Sequence, residues 1–245
     1  MDIFFEIYKD LPRQGPGNNE STRKMFSLLT DLPPSPSILD VGCGTGMQTI
    51  ELAKLIDGNI TAVDNHQPYL EQLNNQALAQ GLSEKVLTVN ASMFSLEFEE
   101  KSFDVIWSEG AIYIIGFEKG LQTWQPLLKA KGYLVVSEIS WLKSNPPIEV
   151  QKYWQANYPN IQTIESNLRI VEDLGYTKVG HFVLPESGWW DSYYTPLETR
   201  IRLLREQYKD NEAMNKELDN SLLEIKFYRK YSDWYGYVFY LIQVP

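Results

Sequence analysis

The 245-residue sequence is poor in cysteine and histidine. Its single cysteine, Cys43, has no second thiol in the chain with which to form a disulfide. This composition fits a reducing compartment, and we expect a cytoplasmic protein. One cysteine and two histidines also provide no cluster of the usual metal-ligand residues. We therefore expect no catalytic metal.

Basic runs and long hydrophobic runs are also missing. The 22 Lys and Arg residues are outnumbered by 32 Asp and Glu, which gives a formal net charge of −10. Because nucleic-acid affinity depends on clustered positive charge, we expect no nucleic-acid partner. No apolar stretch approaches the roughly 20 residues of a membrane-spanning helix, and the first residues lack the basic region of a signal peptide. We therefore expect no membrane association.

Strands and helices alternate between residues 37 and 139. Strand patterns rich in β-branched and aromatic residues occur at 37–41, 59–64, 85–90, 103–108 and 132–138. Apolar residues at helical spacing fill the intervals between them. This alternation predicts an α/β fold with a parallel sheet and right-handed crossovers.

The flanking segments differ from this alternating core. Residues 1–36 predict an N-terminal arm with a short helix over 20–30, which ends in a proline-rich connector. We expect one domain over 1–245, in which 37–140 binds a cofactor and 141–245 forms the C-terminal part.

The C-terminal part combines helical and strand patterns. Apolar spacing predicts helices over 161–174, 197–208 and 214–228, and aromatic and β-branched residues predict strands over 176–184 and 234–243. These two strands are expected to extend the sheet. Residues 185–232 would then form an inserted helical and aromatic cap.

The segment from residue 38 to 46 is the most informative part of the sequence. A buried-strand pattern ends at Val41, three glycines alternate at Gly42, Gly44 and Gly46, and a helix pattern begins near Met47. Glycine allows a sharp turn and lets the backbone lie against a ligand. Between a parallel strand and a helix, such a turn is typical of a cofactor site.

Two acidic residues narrow the choice of cofactor. A dinucleotide site has the spacing G-x-G-x-x-G, whereas the third glycine here comes one residue early and Asp40 precedes the turn. A carboxylate at that position disfavours a pyrophosphate and suits a cationic ligand. Asp64, at the tip of the second predicted strand, can accept hydrogen bonds from ribose hydroxyls. The pattern favours S-adenosylmethionine over a nicotinamide dinucleotide.

Residues 37–139 resemble the class I S-adenosylmethionine-dependent methyltransferases. Segment 38–46 matches the first motif of that family, 62–64 its acidic second motif, 103–106 its fourth motif and 127–134 the turn into its fifth strand. This resemblance implies a Rossmann-like fold with a mostly parallel seven-stranded sheet, helices on both faces and an antiparallel last strand. It also implies methyl transfer, with S-adenosylhomocysteine as the product.

The resemblance suggests further site residues. Segments 13–17 and 107–113 are similar to a subgroup of uncharacterised small-molecule methyltransferases of bacteria and archaea. Where the family reads adenine with an Asp-Ala pair, this chain has Ser92 and Met93, for which we expect a weaker polar readout. Independently of the resemblance, Arg13 and Gln14 are expected to close over the methionine end of the cofactor, with Arg13 pairing with its carboxylate. The alternative is an untethered arm.

The positions of several residues in the predicted fold suggest that they contact or deprotonate the methyl acceptor. Glu109 comes directly after the fourth strand, where it either contacts the cofactor or acts as a general base. His181 and Tyr113 are further base candidates, and Tyr113 is also expected to contact the acceptor. Four aromatic residues of the cap form either an acceptor-binding lid or ordinary packing: Trp189, Trp190, Tyr193 and Tyr194.

The predicted function is methyl transfer from S-adenosylmethionine to a small molecule. Two alternatives stay open: a non-catalytic S-adenosylmethionine-binding regulatory module and, less favoured by the glycine spacing, a nicotinamide-dependent reductase. The sequence identifies neither the methyl acceptor nor the oligomeric state, and a homodimer is one of the options.

Overall fold

A computed structural model describes residues 3–245 of the chain. Its centre is one sheet with the strand order β3-β2-β1-β4-β5-β8-β7, and the short β6 pairs with β5. The strands are β1 (Ser37–Val41), β2 (Asn59–Asp64), β3 (Val86–Asn90), β4 (Phe103–Ser108), β5 (Leu128–Trp141), β6 (Gln162–Thr163), β7 (Thr177–Val183) and β8 (Tyr235–Gln243). The pairings among β1 to β6 are parallel, and β8 is antiparallel to β5 and β7. The predicted fold class is confirmed, with β6 as an addition.

Ten helical segments surround the sheet within residues 3–245. They are α1 (Ile3–Tyr8), α2 (Asn19–Phe26), α3 (Met47–Leu55), α4 (Gln67–Ala79), α5 (Phe117–Trp124), α6 (Ile148–Asn157), α7 (Ile164–Asp173), α8 (Ser187–Trp189), α9 (Thr195–Gln207) and α10 (Glu212–Tyr231). Short 3₁₀ turns lie at Ile112–Ile114 and Gln125–Leu127, and a π-turn spans Trp190–Tyr194. None of the helices in this part of the chain has both the length and the apolar character to cross a membrane.

Two helix boundaries differ from the predicted ones, and side-chain caps mark the residues at which these helices begin. The Asn18 side chain accepts a hydrogen bond from the Ser21 N–H at 2.8 Å and starts α2, which ends at Phe26 rather than at residue 30. The helix predicted from residue 161 begins only at Ile164. Thr163 caps it by accepting a hydrogen bond from the Ser166 N–H at 3.1 Å. The two residues before that helix pair with β5 as β6.

The sheet separates two hydrophobic cores. Val105 and Trp107 of β4 belong to the core beneath α3, α4 and the cap helices, whereas Ile106 belongs to the core beneath α5 and α7. This alternation follows from the two-residue period of a strand. Because both faces are covered, every residue of β4 is buried.

Strand β5 is longer than predicted and extends past its neighbour. Its last pairing with β4 joins Val136 to Ser108, but β5 continues to Trp141. The residues after Val136 therefore project beyond the end of β4 at the carboxyl edge of the sheet. Open α/β sheets bind their ligands at this edge.

A pair of glycine substitutions tests the packing of the glycine turn. Gly46 and Gly81 both have positive φ angles, +86° and +69°. A Cβ at Gly46 would lie 2.2 Å from the Leu73 Cδ1 atom, whereas a Cβ at Gly81 would have no atom within 4 Å. Both alanine variants carry backbone strain of about 1–2 kcal/mol.

Gly46→Ala should lower the free energy of unfolding, measured with urea, by about 1–3 kcal/mol more than Gly81→Ala does, because it also overpacks the core. Equal losses in the two variants would show that Leu73 moves aside without resistance.

Candidate functional site

The segment from Gly42 to Gly46 turns the chain from the end of β1 into α3. Its three glycines have φ angles of +73° at Gly42, +55° at Gly44 and +86° at Gly46, a region that residues with a Cβ rarely adopt. The backbone N–H groups of Gly42 and Cys43 donate to the Val63 carbonyl at 2.8 and 3.0 Å. These bonds fasten the turn to the end of β2.

Two other segments approach this turn closely. A Cβ at Gly42 would lie 2.5 Å from the Cβ of Ala111, and a Cβ at Gly44 would lie 2.7 Å from Gln14 Oε1. The absence of side chains therefore lets the loop after β4 and the N-terminal arm pack against the turn.

A cavity of about 210 Å³ lies against the glycine turn, at the carboxyl ends of β1, β2 and β4. Its wall contains Tyr113 and nine of the ten predicted cofactor-binding residues: Arg13, Gln14, Gly42, Gly44, Gly46, Asp64, Ser92, Met93 and Glu109. The structure therefore brings residues from the arm, the turn and three strand ends to a single place.

Asp64 is held in the cavity wall by backbone donors. Its Oδ2 accepts a hydrogen bond from the Gly44 N–H and its Oδ1 accepts one from the His66 N–H, both at 2.9 Å. Burial raises the pKa of Asp64, and these two hydrogen bonds oppose the rise. Each carboxylate oxygen accepts more than one hydrogen bond, so Asp64 can still receive hydroxyl donors from a ligand.

Arg13 and Glu109, which are also part of the cavity wall, form a buried ion pair. The Arg13 Nη1 atom donates to Glu109 Oε2 at 2.9 Å, and the two residues are only 5% and 7% exposed. Glu109 Oε1 accepts two more hydrogen bonds, from Thr22 Oγ1 at 2.7 Å and Trp107 Nε1 at 2.9 Å. Glu109 is thus occupied by protein donors, an arrangement that suits an anchor for Arg13 better than a general base.

The partner of Arg13 differs from the predicted one. Its Nη1 atom pairs with Glu109, and its Nε donates to Met47 Sδ at 3.0 Å, so that only Nη2 is left for the carboxylate of a cofactor. The Arg13 Nη2 atom is buried and has no hydrogen-bond partner within residues 3–245. Buried charged donors without a partner are rare, and this one belongs to a residue of the cavity wall.

Gln14 connects the arm to the glycine turn. Its Oε1 accepts hydrogen bonds from the Thr45 N–H and the Thr45 hydroxyl, each at 3.2 Å. Its Nε2 donates to the Leu11 carbonyl at 3.3 Å. Gln14 thereby fixes the arm over the turn.

The predicted contact of Asp40 with the ligand needs correction. Asp40 is completely buried beneath the turn and is not in the cavity wall. It accepts hydrogen bonds from Thr49 Oγ1 at 2.5 Å and Gln48 Nε2 at 3.4 Å. Burial raises the pKa of Asp40 to about 7. Asp40 is therefore linked to the cavity through its hydrogen bond with Gln48, which is a residue of the cavity wall.

Ser92 and Met93 lie in the wall after β3. The Ser92 hydroxyl accepts a hydrogen bond from the Phe94 N–H at 3.3 Å, and the Met93 carbonyl accepts one from Trp124 Nε1 at 3.1 Å. The latter bond fixes the backbone of this loop against α5.

The position of His181 does not support its predicted role as a general base for the acceptor. His181 is exposed on the edge strand β7, where its ring lies 6.4 Å from that of Tyr240, and it is not in the cavity wall. The strand pattern predicted β7 correctly, but it did not show that β7 lies at the edge of the sheet, away from the glycine turn. The proposed role of His181 as a base in the cavity is therefore wrong.

The aromatic residues of the cap pack together instead of lining this cavity. Trp189 stacks on Tyr228 of α10 with ring centroids 4.0 Å apart, and Trp190 lies 4.9 Å from the guanidinium of Arg229. Four cap aromatics are absent from the cavity wall: Trp189, Trp190, Tyr193 and Tyr194. The packing interpretation describes their positions better than a lid over the cofactor cavity does.

Sequence reasoning missed several wall residues. Gln48 and Tyr69 lie in the first turns of the helices that follow β1 and β2, a position that could have indicated them. Phe5 comes from the arm and stacks on the His66 ring at 3.4 Å. Nothing local in the sequence indicates that contact, which joins residues far apart in the chain.

No group of three or more His, Cys, Asp or Glu side chains in residues 3–245 is arranged to hold a metal ion.

Comparisons with known proteins agree with this architecture. Residues 38–132 match the family described as a methyltransferase domain. A sterol 24-C-methyltransferase of Neurospora crassa is 26% identical over 178 residues, which cover 69% of this chain and 46% of that protein. A phosphoethanolamine N-methyltransferase of Arabidopsis thaliana is 26% identical over 159 residues, covering 64% and 32% respectively. The chain thus spans less than half the length of these curated relatives.

A solved structure covers the whole fold. The S-adenosylmethionine-dependent methyltransferase of Geobacter sulfurreducens, crystallised with S-adenosyl-L-homocysteine, superposes with a TM-score of 0.86 at 19% sequence identity. The superposition covers 100% of this chain and 98% of the other. Residues 38–132 thus match a methyltransferase domain, and the chain has the Rossmann-like fold of the S-adenosylmethionine-dependent methyltransferase on which it superposes.

Proposed function

We propose that the protein transfers a methyl group from S-adenosylmethionine to a small-molecule acceptor. The observation that carries this proposal is the cavity wall, which combines a glycine turn, the carboxylate of Asp64 and an unpaired nitrogen of Arg13. The match of residues 38–132 to a methyltransferase domain supports it.

The wall residues fit the parts of this cofactor. Asp64 would accept the ribose hydroxyls, and Ser92 with the Met93 backbone would face the adenine. Arg13 would donate its free Nη2 to the carboxylate at the methionine end, and Glu109 would hold Arg13 in position for this contact. Arg–carboxylate hydrogen bonds are strong and directional.

The remaining chemistry is mainly a matter of positioning. When bound, S-adenosylmethionine supplies a methyl group on a positively charged sulfur, which needs no further activation to leave. The chain therefore has to align the acceptor and exclude water. Four aromatic residues of the wall suit the exclusion of water, namely Phe5, Tyr69, Phe94 and Tyr113.

The volume of the cavity and the net charge of the chain support a small-molecule acceptor. The cavity measures about 210 Å³, and the net charge of −10 disfavours a polyanionic partner. The relatives are named for methylation at a sterol carbon and at a phosphoethanolamine nitrogen, so they leave the acceptor atom open. The buried free thiol of Cys43 supports a reducing, cytoplasmic location.

Parallel calorimetry with three ligands tests the cofactor. S-adenosylmethionine and S-adenosylhomocysteine should bind, and NADH should not, because the spacing of the three glycines differs from that of a pyrophosphate-binding turn and the Asp64 carboxylate lies in the wall beside it. Binding of NADH alone would support the reductase. Binding of S-adenosylmethionine without methyl gain in any compound of a cell-metabolite extract would support the non-catalytic module.

Replacing Asp64 tests the ribose contact. Asp64→Ala should weaken S-adenosylhomocysteine binding by about 1–3 kcal/mol, because charge-assisted hydrogen bonds are lost. The matched control is Asp57→Ala, which removes an exposed carboxylate (93% accessible) just before β2 and should leave affinity unchanged. An unaltered dissociation constant for Asp64→Ala would remove this residue from the site.

Arg13 can be tested with two ligands that differ only at the methionine end. Arg13→Lys keeps the charge facing Glu109 but removes the second guanidinium nitrogen. It should weaken S-adenosylhomocysteine binding by about tenfold and leave 5′-methylthioadenosine binding unchanged, since that compound lacks the amino-acid part. The control is Arg23→Lys. Arg23 lies in α2 and pairs with Glu51. Equal weakening for both ligands would contradict the assigned contact.

A further inference from the structure

A second carboxylate lies at the carboxyl edge of the sheet, close to the cavity. Glu138 belongs to the part of β5 that projects beyond the end of β4. Its neighbour Ser137 accepts a hydrogen bond from the Gly110 N–H at 2.7 Å, and Gly110 is in the cavity wall. Glu138 is not itself in the cavity wall, and the nearby Tyr113 connects it to the wall.

The side chain of Glu138 is buried without compensation. The residue is 2% exposed, and its Oε2 atom has no hydrogen-bond partner. Within residues 3–245 it forms no ion pair with Lys, Arg or His, in contrast to Glu109. A buried carboxylate normally has a counter-charge or full hydrogen bonding. The missing partner points to a ligand.

Tyrosine rings surround this carboxylate. The Tyr158 hydroxyl lies close enough to Glu138 to lower the pKa of this carboxyl, but within residues 3–245 neither that hydroxyl nor Glu138 Oε2 has a hydrogen bond of normal geometry. Tyr113, a cavity-wall residue, packs edge-on against Tyr158 with ring centroids 6.1 Å apart. Burial is the main cause of the raised pKa values of Tyr158 and Tyr237, and the nearby Glu138 contributes in both cases. Tyr113 is 40% exposed. Aromatic faces beside a carboxylate favour a cation.

We propose that Glu138, with the rings of Tyr113 and Tyr158, recognises the methyl acceptor, and that this acceptor is an amine bound in its ammonium form. The inference rests on the proposed function and specifies its substrate class. With a neutral alcohol Glu138 stays protonated, because burial raises its pKa to about 8. An ammonium N–H supplies both the positive charge that favours the ionised carboxylate and the missing donor.

The same carboxylate can prepare the amine for methylation. An ammonium has no free electron pair, so one N–H bond must break, with its electrons staying on nitrogen and the proton forming an O–H bond on Glu138. Burial raises the pKa of Glu138 to about 8, which allows it to hold a proton near neutral pH. The proton leaves to water when the product dissociates.

Two isosteric probes test the recognition. N,N-dimethylaminoethanol carries an ammonium at neutral pH, and 3-methylbutan-1-ol has the same shape without the charge. Calorimetry on the full chain saturated with S-adenosylhomocysteine should show about tenfold tighter binding of the amine. Glu138→Gln should abolish this preference while S-adenosylhomocysteine affinity stays unchanged, and Glu138→Asp should retain part of it.

The control variant is Asp104→Asn. Asp104 is a buried carboxylate at the other end of β4, paired with Lys129 at 2.8 Å, and its loss should not alter the preference. Thermal unfolding monitors the fold of each variant. Equal binding of the two probes to the wild type, or an undiminished preference in Glu138→Gln, overturns the inference but leaves the proposed function intact. Failure of S-adenosylhomocysteine to bind overturns both.

Discussion

The buried ion pair of Arg13 and Glu109 holds the N-terminal arm over the sheet. A buried pair is stable only when its remaining donors and acceptors are satisfied, and Thr22 and Trp107 complete the coordination of Glu109. Two residues of the arm, Arg13 in its loop and Thr22 in α2, therefore meet Trp107 of β4 at one carboxylate. Without this carboxylate, the arm would lose its charged anchor at the sheet edge, and the cavity would lose one wall. Gln14, the next residue along the arm, adds a second attachment at Thr45.

Much of the fold could be predicted because its determinants are local. A parallel strand covered on both faces reads as a short apolar run, and Ser37–Val41 and Phe103–Ser108 were found in this way. The glycine turn was predictable for a similar reason, since three positive φ angles within five residues demand glycine. Asp64 followed from its place at a strand end. Each of these inferences used only residues that are neighbours in the chain.

The remaining site residues could not be assigned because their roles depend on distant partners. Arg13 and Glu109 are 96 positions apart, and no sequence pattern shows that they pair. Asp40 was placed correctly on β1, but the sequence could not show that its side chain lies under the turn instead of in the cavity. The cap aromatics were recognised as a cluster, yet their partner Tyr228 comes from a later helix. His181 shows the same difficulty: its strand was predicted, and its distance from the turn was set by sheet order.

The position of β8 has a consequence for biosynthesis. This strand follows the cap in sequence, yet it lies between β5 and β7, both of which are made earlier. On the ribosome, β7 has no neighbour in the sheet until residues 235–243 have emerged, whereas β1 to β5 can already pair. The half of the sheet that carries the glycine turn can thus assemble during translation, before β7 and β8 pair. Emergence of residues 235–243 from the exit tunnel therefore sets the moment at which the sheet becomes complete.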